Sequence, residues 1–274
     1  MTIHPLARRA ADAHLAMIDT AAPGLIEALY LVGSAAMDDF RPAISDVDFV
    51  AVGRSRPDQA ELAALSEAHA RLAGDPSIPA LDGIYVTWDD LRAGPLAVPD
   101  GPCVKQGRLI ATGCHERHPA TWSMLSASAV TVRGPLCAGT LIWRDPARLE
   151  TWILATIETF WRPWLKRASE RRSAESEAAL EAAVVERVAL GMCRLHYTLA
   201  TGTVPSKSDA GLYGLITFPR KWHPIVDEAL RIRREPAAPS LYRSPTDRRS
   251  DLLGFVRTVL ADAAATGPNG SPPT

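Results

Sequence analysis

The segment Leu31-Val-Gly-Ser-Ala-Ala-Met-Asp-Asp-Phe-Arg-Pro-Ala-Ile-Ser-Asp-Val-Asp-Phe-Val-Ala-Val52 places two short apolar runs on either side of a polar turn. Gly33-Ser34 follows the first run, and after about eleven residues Asp46-Val47-Asp48 opens the second. On a strand, residues i and i+2 point to the same face, so Asp46 and Asp48 project together as neighbouring carboxylates. Two such groups repel each other and are costly to desolvate without a cation. Mg²⁺ answers both difficulties, because it prefers carboxylate oxygens and commonly bridges to substrate phosphates. A Gly-Ser turn nearby offers backbone N–H groups and a hydroxyl to phosphate oxygens. The competing reading is a glycine turn followed by a strand that the aspartates merely cap. Gly33-Ser34, the apolar flanking strands and Ser45 ahead of the first Asp together favour a site.

This pattern resembles the signature of the polymerase-beta-like nucleotidyltransferase superfamily: a Gly-Ser turn, a gap of roughly ten residues, then Asp-x-Asp on a strand. The resemblance implies an α+β catalytic domain in which Asp46 and Asp48 hold Mg²⁺ and Gly33 and Ser34 grip a triphosphate. An attacking hydroxyl then takes the nucleotidyl group and pyrophosphate leaves.

The remainder of the chain is consistent with an enzyme of that size. Its 274 residues are 47% hydrophobic and 22% charged, enough to bury a substantial core in two domains. The net charge of −1 argues against a protein that wraps nucleic acid. No stretch approaches the ~20 apolar residues of a membrane span, and no signal core follows the N-terminus, so a cytoplasmic location is expected. Cys103, Cys114, Cys137 and Cys193 are widely spaced, which favours reduced thiols over disulfides or zinc. Only four of the thirty basic residues are lysines, which makes Lys207 worth singling out.

Working outward, helices are expected over 6–22, 34–40 and from Pro57 to about Leu72, and strands over Leu29–Val32, Asp46–Val52 and Gly83–Trp88. Residues 91–118, rich in Pro and Gly, are read as a wrap around this domain. A helical turn at Pro119–Leu125 and a short strand at Ala129–Val132 follow. After Pro146 the pattern is helical. Leu149–Ala168 carries Trp152, Trp161 and Trp164, and Ala174–Ala200 reads as one long helix with Val184, Val188, Met192, Leu195 and Leu199 on its apolar face. The expected organisation is a catalytic domain over 1–145, an α-helical bundle over 146–265 and a disordered tail over 266–274.

An Asp-x-Asp domain followed by a helical bundle is similar to the aminoglycoside nucleotidyltransferases, and in particular to the streptomycin/spectinomycin 3''-adenylyltransferases. Cys193-Arg-Leu-His-Tyr-Thr-Leu-Ala-Thr-Gly202 and Val204-Pro-Ser-Lys207 approximate the family's Arg-aromatic helix, Thr-Gly break and Pro-Lys. The resemblance spans roughly residues 25–260. It implies ATP as co-substrate, Lys207 as a phosphate contact reaching back over the domain junction, and a small polar acceptor, an aminoglycoside or aminocyclitol. Three departures accompany it. The family's general base is a Glu, and the matching position is Asp82, which would take the acceptor proton, help bind metal, or both. His115 stands where the family carries a Trp near the drug. The segment around Arg171–Arg187, where the family places drug-binding acids, is rewritten, with Glu181 and Glu186 as candidates by location. Alternative readings are a protein-nucleotidylating enzyme and a nucleotide-binding regulator without turnover.

Overall fold

The structure is a computed structural model and describes residues 3–137, 141–170 and 172–266. The chain divides into two compact units, one ending at Asp145 and the other beginning at Pro146. The first contains α1 (Pro5–Ala21), β1 (Ala28–Leu31), α2 (Gly33–Ala36), β2 (Val47–Gly53), α3 (Gln59–Ala73), β3 (Leu81–Thr87), α4 (Trp88–Ala93), β4 (Gly101–Lys105), β5 (Arg108–Gly113), α5 (Pro119–Ser128) and β6 (Val130–Arg133). Its strands form one mixed sheet in the order β5-β4-β3-β2-β1-β6. Only β2 and β3 run parallel to each other, and α3 supplies the crossover that a parallel pair needs. Asp58 and Glu61 start α3 with a reciprocal capping box, two bonds of 2.8 Å.

The β2/β3 register pairs Asp48 with Asp82, Val50 with Ile84 and Val52 with Val86. The alternate residues Val47, Phe49, Ala51, Leu81 and Tyr85 share a core with Ala7, Ala11, Leu15 and Ile18 of α1 and Leu65, Ala68 and Leu72 of α3. One sheet face is therefore committed to helices, and Asp48 and Asp82 stand on the other.

Residues 91–118 are more ordered than a wrap. They contain the second half of α4 and the whole β4–β5 hairpin. Gln106 and Gly107 make its two-residue turn with φ of 50° and 72°, the double left-handed geometry that matches the twist of tight hairpins. Arg133 ends β6 in a bidentate pair with Asp19 of α1, at 2.7 and 2.5 Å, a structural role.

The second unit contains α6 (Pro146–Thr156), a π-helical turn (Ile157–Trp161), α7 (Arg162–Ser169), α8 (Ala174–Ala178), α9 (Ala182–Thr201), α10 (Lys207–Thr217), α11 (His223–Arg234) and α12 (Pro245–Thr266). Val184, Val188 and Met192 are buried on α9, with Leu195 and Leu199 packed against the same core. The helix expected over 174–200 is two helices. Between them the Arg248 guanidinium donates to the Leu180 carbonyl at 2.6 Å while also holding the fully buried Glu228 carboxylate at 3.1 Å. That side-chain cap takes a carbonyl that a continuous helix would use itself. Helix α12 runs to Thr266, one residue into the expected tail, and residues 267–274 lie outside the described residues. No described helix is long and apolar enough to cross a membrane. All four cysteines are free, with Cys103 and Cys193 buried and Cys114 exposed.

The sheet face opposite the carboxylates carries a buried polar knot. Tyr85 Oη lies 2.7 Å from Nε2 of both His14 and His69. Burial, then the neighbouring His69 and Arg133, lowers the His14 pKa well below its ordinary value. Burial lowers His69 from 6.5 to about 4. With the folded pKa depressed, the unfolded chain takes up protons that the native chain refuses as pH falls from 6.5 toward 4. Stability is complete above that window and declines through it, by about 3 kcal/mol for His69 alone. Urea unfolding at about pH 7.5 and about pH 5 should show this loss, and His69→Gln should flatten the dependence while keeping a hydrogen-bonding side chain beside Tyr85.

Candidate active site

Strands β1 and β2 are antiparallel, so the end of one lies beside the start of the other. The Val32 N–H donates to the Asp48 carbonyl at 3.0 Å, which fixes the Gly33-Ser34 turn against Asp48. Gly33 has φ of 60°, and a Cβ built on it would lie 2.2 Å from Asp48 Oδ2. Glycine is required there twice over, by backbone conformation and by the carboxylate that occupies the space. The Ser34 carbonyl accepts from Asp39 N–H at 3.1 Å and closes the turn. The Ser34 hydroxyl takes no partner among the described residues. Asp46 lies just ahead of β2 and is exposed, whereas Asp48 is half-buried. Between turn and strand, Ser45 Oγ accepts from Arg41 N–H at 3.0 Å and shapes the approach to Asp46.

Asp82 is brought to the same place by strand pairing, one strand over from Asp48 and on the same face. The hairpin turn reaches back to it. Gly107 N–H donates to the Leu81 carbonyl at 2.9 Å, and Gln106 N–H donates to Asp82 Oδ1. Asp82 Oδ2 lies 3.2 Å from His115 Nε2. Burial pushes the Asp82 pKa up, against the Gln106 and His115 hydrogen bonds that favour its charged form.

His115 sits on a loop pinned from beneath. The buried Arg117 donates to the carbonyls of Tyr85 at 2.6 Å and Pro102 at 3.2 Å. His118 is used otherwise: its Nδ1 caps α5 by accepting from Thr121 N–H at 3.3 Å, and Glu116 accepts from the Thr121 hydroxyl at 2.9 Å. Sequence reasoning singled out His115, and the structure separates this imidazole beside Asp82 from the helix-capping His118. It missed the hairpin that grips Asp82. Gln106-Gly107 between extended residues was the available signal. It also missed Arg117, for which the sequence carries no signal.

Among the described residues, no three His, Cys, Asp or Glu side chains come close enough to enclose a metal ion. The donor chemistry still fits Mg²⁺, which usually takes one or two protein carboxylates and completes its shell with phosphates and water. Asp46 and Asp48 are such a pair, and the Gly33–Asp48 contact holds one of them against a turn suited to phosphate.

In the second unit, Lys207 is the first residue of α10, with Ser206 as its cap. Its ammonium lies 3.3 Å from both oxygens of Glu186, which also accepts from Arg233 at 2.9 Å. Burial pushes the Lys207 pKa down, with Glu186 opposing. Glu186 is thereby committed to two cations of its own chain, while Glu181 is exposed at the start of α9. His196 bonds Tyr213 and Asp262, at 2.9 and 2.7 Å.

The mixed sheet, the paired aspartates and the helical second unit together define a nucleotidyltransferase fold with a C-terminal helical domain. A solved structure described as spectinomycin adenyltransferase AAD(9) from Enterococcus faecialis with ATP and spectinomycin superposes with a TM-score of 0.65 at 13% identity, covering 91% of this chain and 98% of that one. That likeness shows the fold. Residues 181–261 match the family model of the aminoglycoside adenylyltransferase C-terminal domain. No curated protein sequence matches the chain. The sequence match thus covers most of the second unit, and the structural likeness covers the fold of both.

The turn geometry gives a direct test. Gly33→Ala forces a left-handed backbone costing about 1–2 kcal/mol and displaces the Asp48 carboxylate. Thermal unfolding should show a modest loss, while nucleotidyl transfer should fall far more than that loss explains. Wild-type turnover in a destabilised Gly33→Ala protein would show the contact to be structural only.

Proposed function

We propose that this chain transfers AMP from ATP to a hydroxyl of a small polar acceptor, an aminoglycoside or aminocyclitol, with Mg²⁺ as cofactor. The observation that carries this reading is the in-register pair Asp48 and Asp82 beside the Gly33-Ser34 turn. Support for the substrates comes from the AAD(9) structure, solved with ATP and spectinomycin, and from the family model over 181–261.

In this reading Asp46 and Asp48 hold the cation. The chemistry it supplies when bound is neutralisation of phosphate charge during in-line displacement. Gly33 contributes a close-approaching backbone and Ser34 an uncommitted hydroxyl, and these hold the triphosphate. Lys207 is assigned to a phosphate, a task that suits a compact point charge. Asp82, held from two sides beside Asp48, belongs to the acceptor half of the reaction.

Incubation with ATP·Mg²⁺ and a panel of aminoglycosides and aminocyclitols, read by mass spectrometry, tests the reading. A gain of one adenylyl group on a drug is expected, whereas label on protein alone would favour a protein-modifying enzyme. Asp46→Asn and Asp48→Asn should abolish transfer without unfolding the chain, since the charge that binds Mg²⁺ is gone. Retained turnover in both would refute the metal assignment. Ser34→Ala should weaken the use of ATP by ~1–3 kcal/mol, the usual worth of a hydrogen bond to a charged group, and should leave acceptor KM unchanged.

A further inference from the structure

We infer that Glu186 is a positioning residue for ATP: it holds the Lys207 ammonium ready for a phosphate, and Arg233 holds Glu186 in turn. This rests on the reading of Lys207 given above. Lys207 Nζ lies 3.3 Å from both Glu186 oxygens, and Arg233 Nη1 donates to Oε1 at 2.9 Å. The Glu186 and Arg233 side chains are 7% and 3% exposed, while that of Lys207 is 30% exposed. An ammonium carries three N–H groups, so two given to Glu186 leave one for a ligand.

The helix itself does not favour a cation at this position. Lys207 opens α10, and the N-terminal end of a helix repels positive charge. Burial also disfavours the charged ammonium; Glu186 opposes that effect, while Arg233 of α11 and Arg194 of α9 add to it. Arg194 lies close through the link into α10, where its Nε donates to the Pro205 carbonyl at 3.0 Å. Asp209, the acid in the first turn of α10, accepts from the Ser206 hydroxyl at 2.7 Å. A charged Lys207 is thus sustained by Glu186 against burial, the helix end and two guanidinium groups.

The pH dependence has a definite sign. Lys207 contributes to ATP affinity while protonated, and that contribution is lost as pH rises through its pKa. Removing the Glu186 charge moves the loss to lower pH, because the ammonium keeps its opponents and loses its support. A Glu186 that served only to neutralise the buried Arg233 would matter to stability and leave this profile where it is.

The test measures the ATP·Mg²⁺ affinity of the full chain by calorimetry, without acceptor, from about pH 7.5 to about pH 10. Glu186→Gln should begin to lose affinity about one pH unit or more below wild type. Adding Lys207→Arg to that variant supplies a guanidinium that stays charged, and should flatten its curve over this range. Glu186→Asp keeps a charge for Arg233 but draws back from Lys207. It should fold even where Glu186→Gln does not, with a smaller shift in the same direction. Curves for the folded Glu186 variants that superpose on wild type, with only their melting temperatures lowered, overturn the inference and make Glu186 a structural partner of Arg233. An ATP affinity that Lys207→Ala leaves within about twofold of wild type overturns it as well, through the Lys207 assignment. Drug adenylylation that Asp46→Asn abolishes would then still uphold the proposed function. A wild type that modifies no drug, with the pH shift intact, removes the proposed acceptor and supports this inference.

Discussion

The first unit depends on the register between β2 and β3. Their pairing places Asp48 beside Asp82, an arrangement that like charges oppose. What imposes it is the other face of the same strands. Phe49 and Tyr85 are fixed there by α1 and α3, and Tyr85 is bonded at once to His14 and His69. A one-residue slip of either strand would exchange faces, sending a carboxylate into the apolar core and an aromatic ring out of it. The buried face thus sets the geometry of the polar face, and the repulsion between aspartates is small against the burial it would cost to relieve it.

The polar face is then completed by groups that neutralise or hold what the sheet has placed. Gly33 gives Asp48 room by having no side chain, and the Gln106 N–H and His115 hold the two oxygens of Asp82. These groups come from a strand-to-helix turn, a hairpin tip and a loop anchored by Arg117. Each is an irregular segment attached to the sheet by hydrogen bonds to strand carbonyls, so the irregular parts of the fold borrow their precision from its stiffest part.

Legibility in the sequence followed the same division. Gly33-Ser34 and Asp46-Val-Asp48 could be read because period-two alternation and turn chemistry are local, and the strand carrying Asp82 showed in its β-branched and aromatic residues. The pairing of Asp48 with Asp82 was foreseeable only as two apolar strands needing a common sheet. The role of Arg117 was not foreseeable, since its partners are carbonyls of distant strands and nothing in its neighbours encodes them. The hairpin at Gln106-Gly107 was obscured by the Pro and Gly around it. The break between α8 and α9 is a tertiary override: 174–200 has helical composition throughout, and Arg248, far along the chain, takes the Leu180 carbonyl.

Asp82, where the sequence resemblance implied a Glu, is held on both of its oxygens. A carboxylate one methylene shorter cannot place its oxygens where the longer side chain does, and a backbone N–H already claims one of them. The other oxygen lies 3.2 Å from the His115 imidazole. Asp82 and His115 are 33 positions apart in sequence and 3.2 Å apart in space, so strand pairing and a distant loop build this corner of the polar face together.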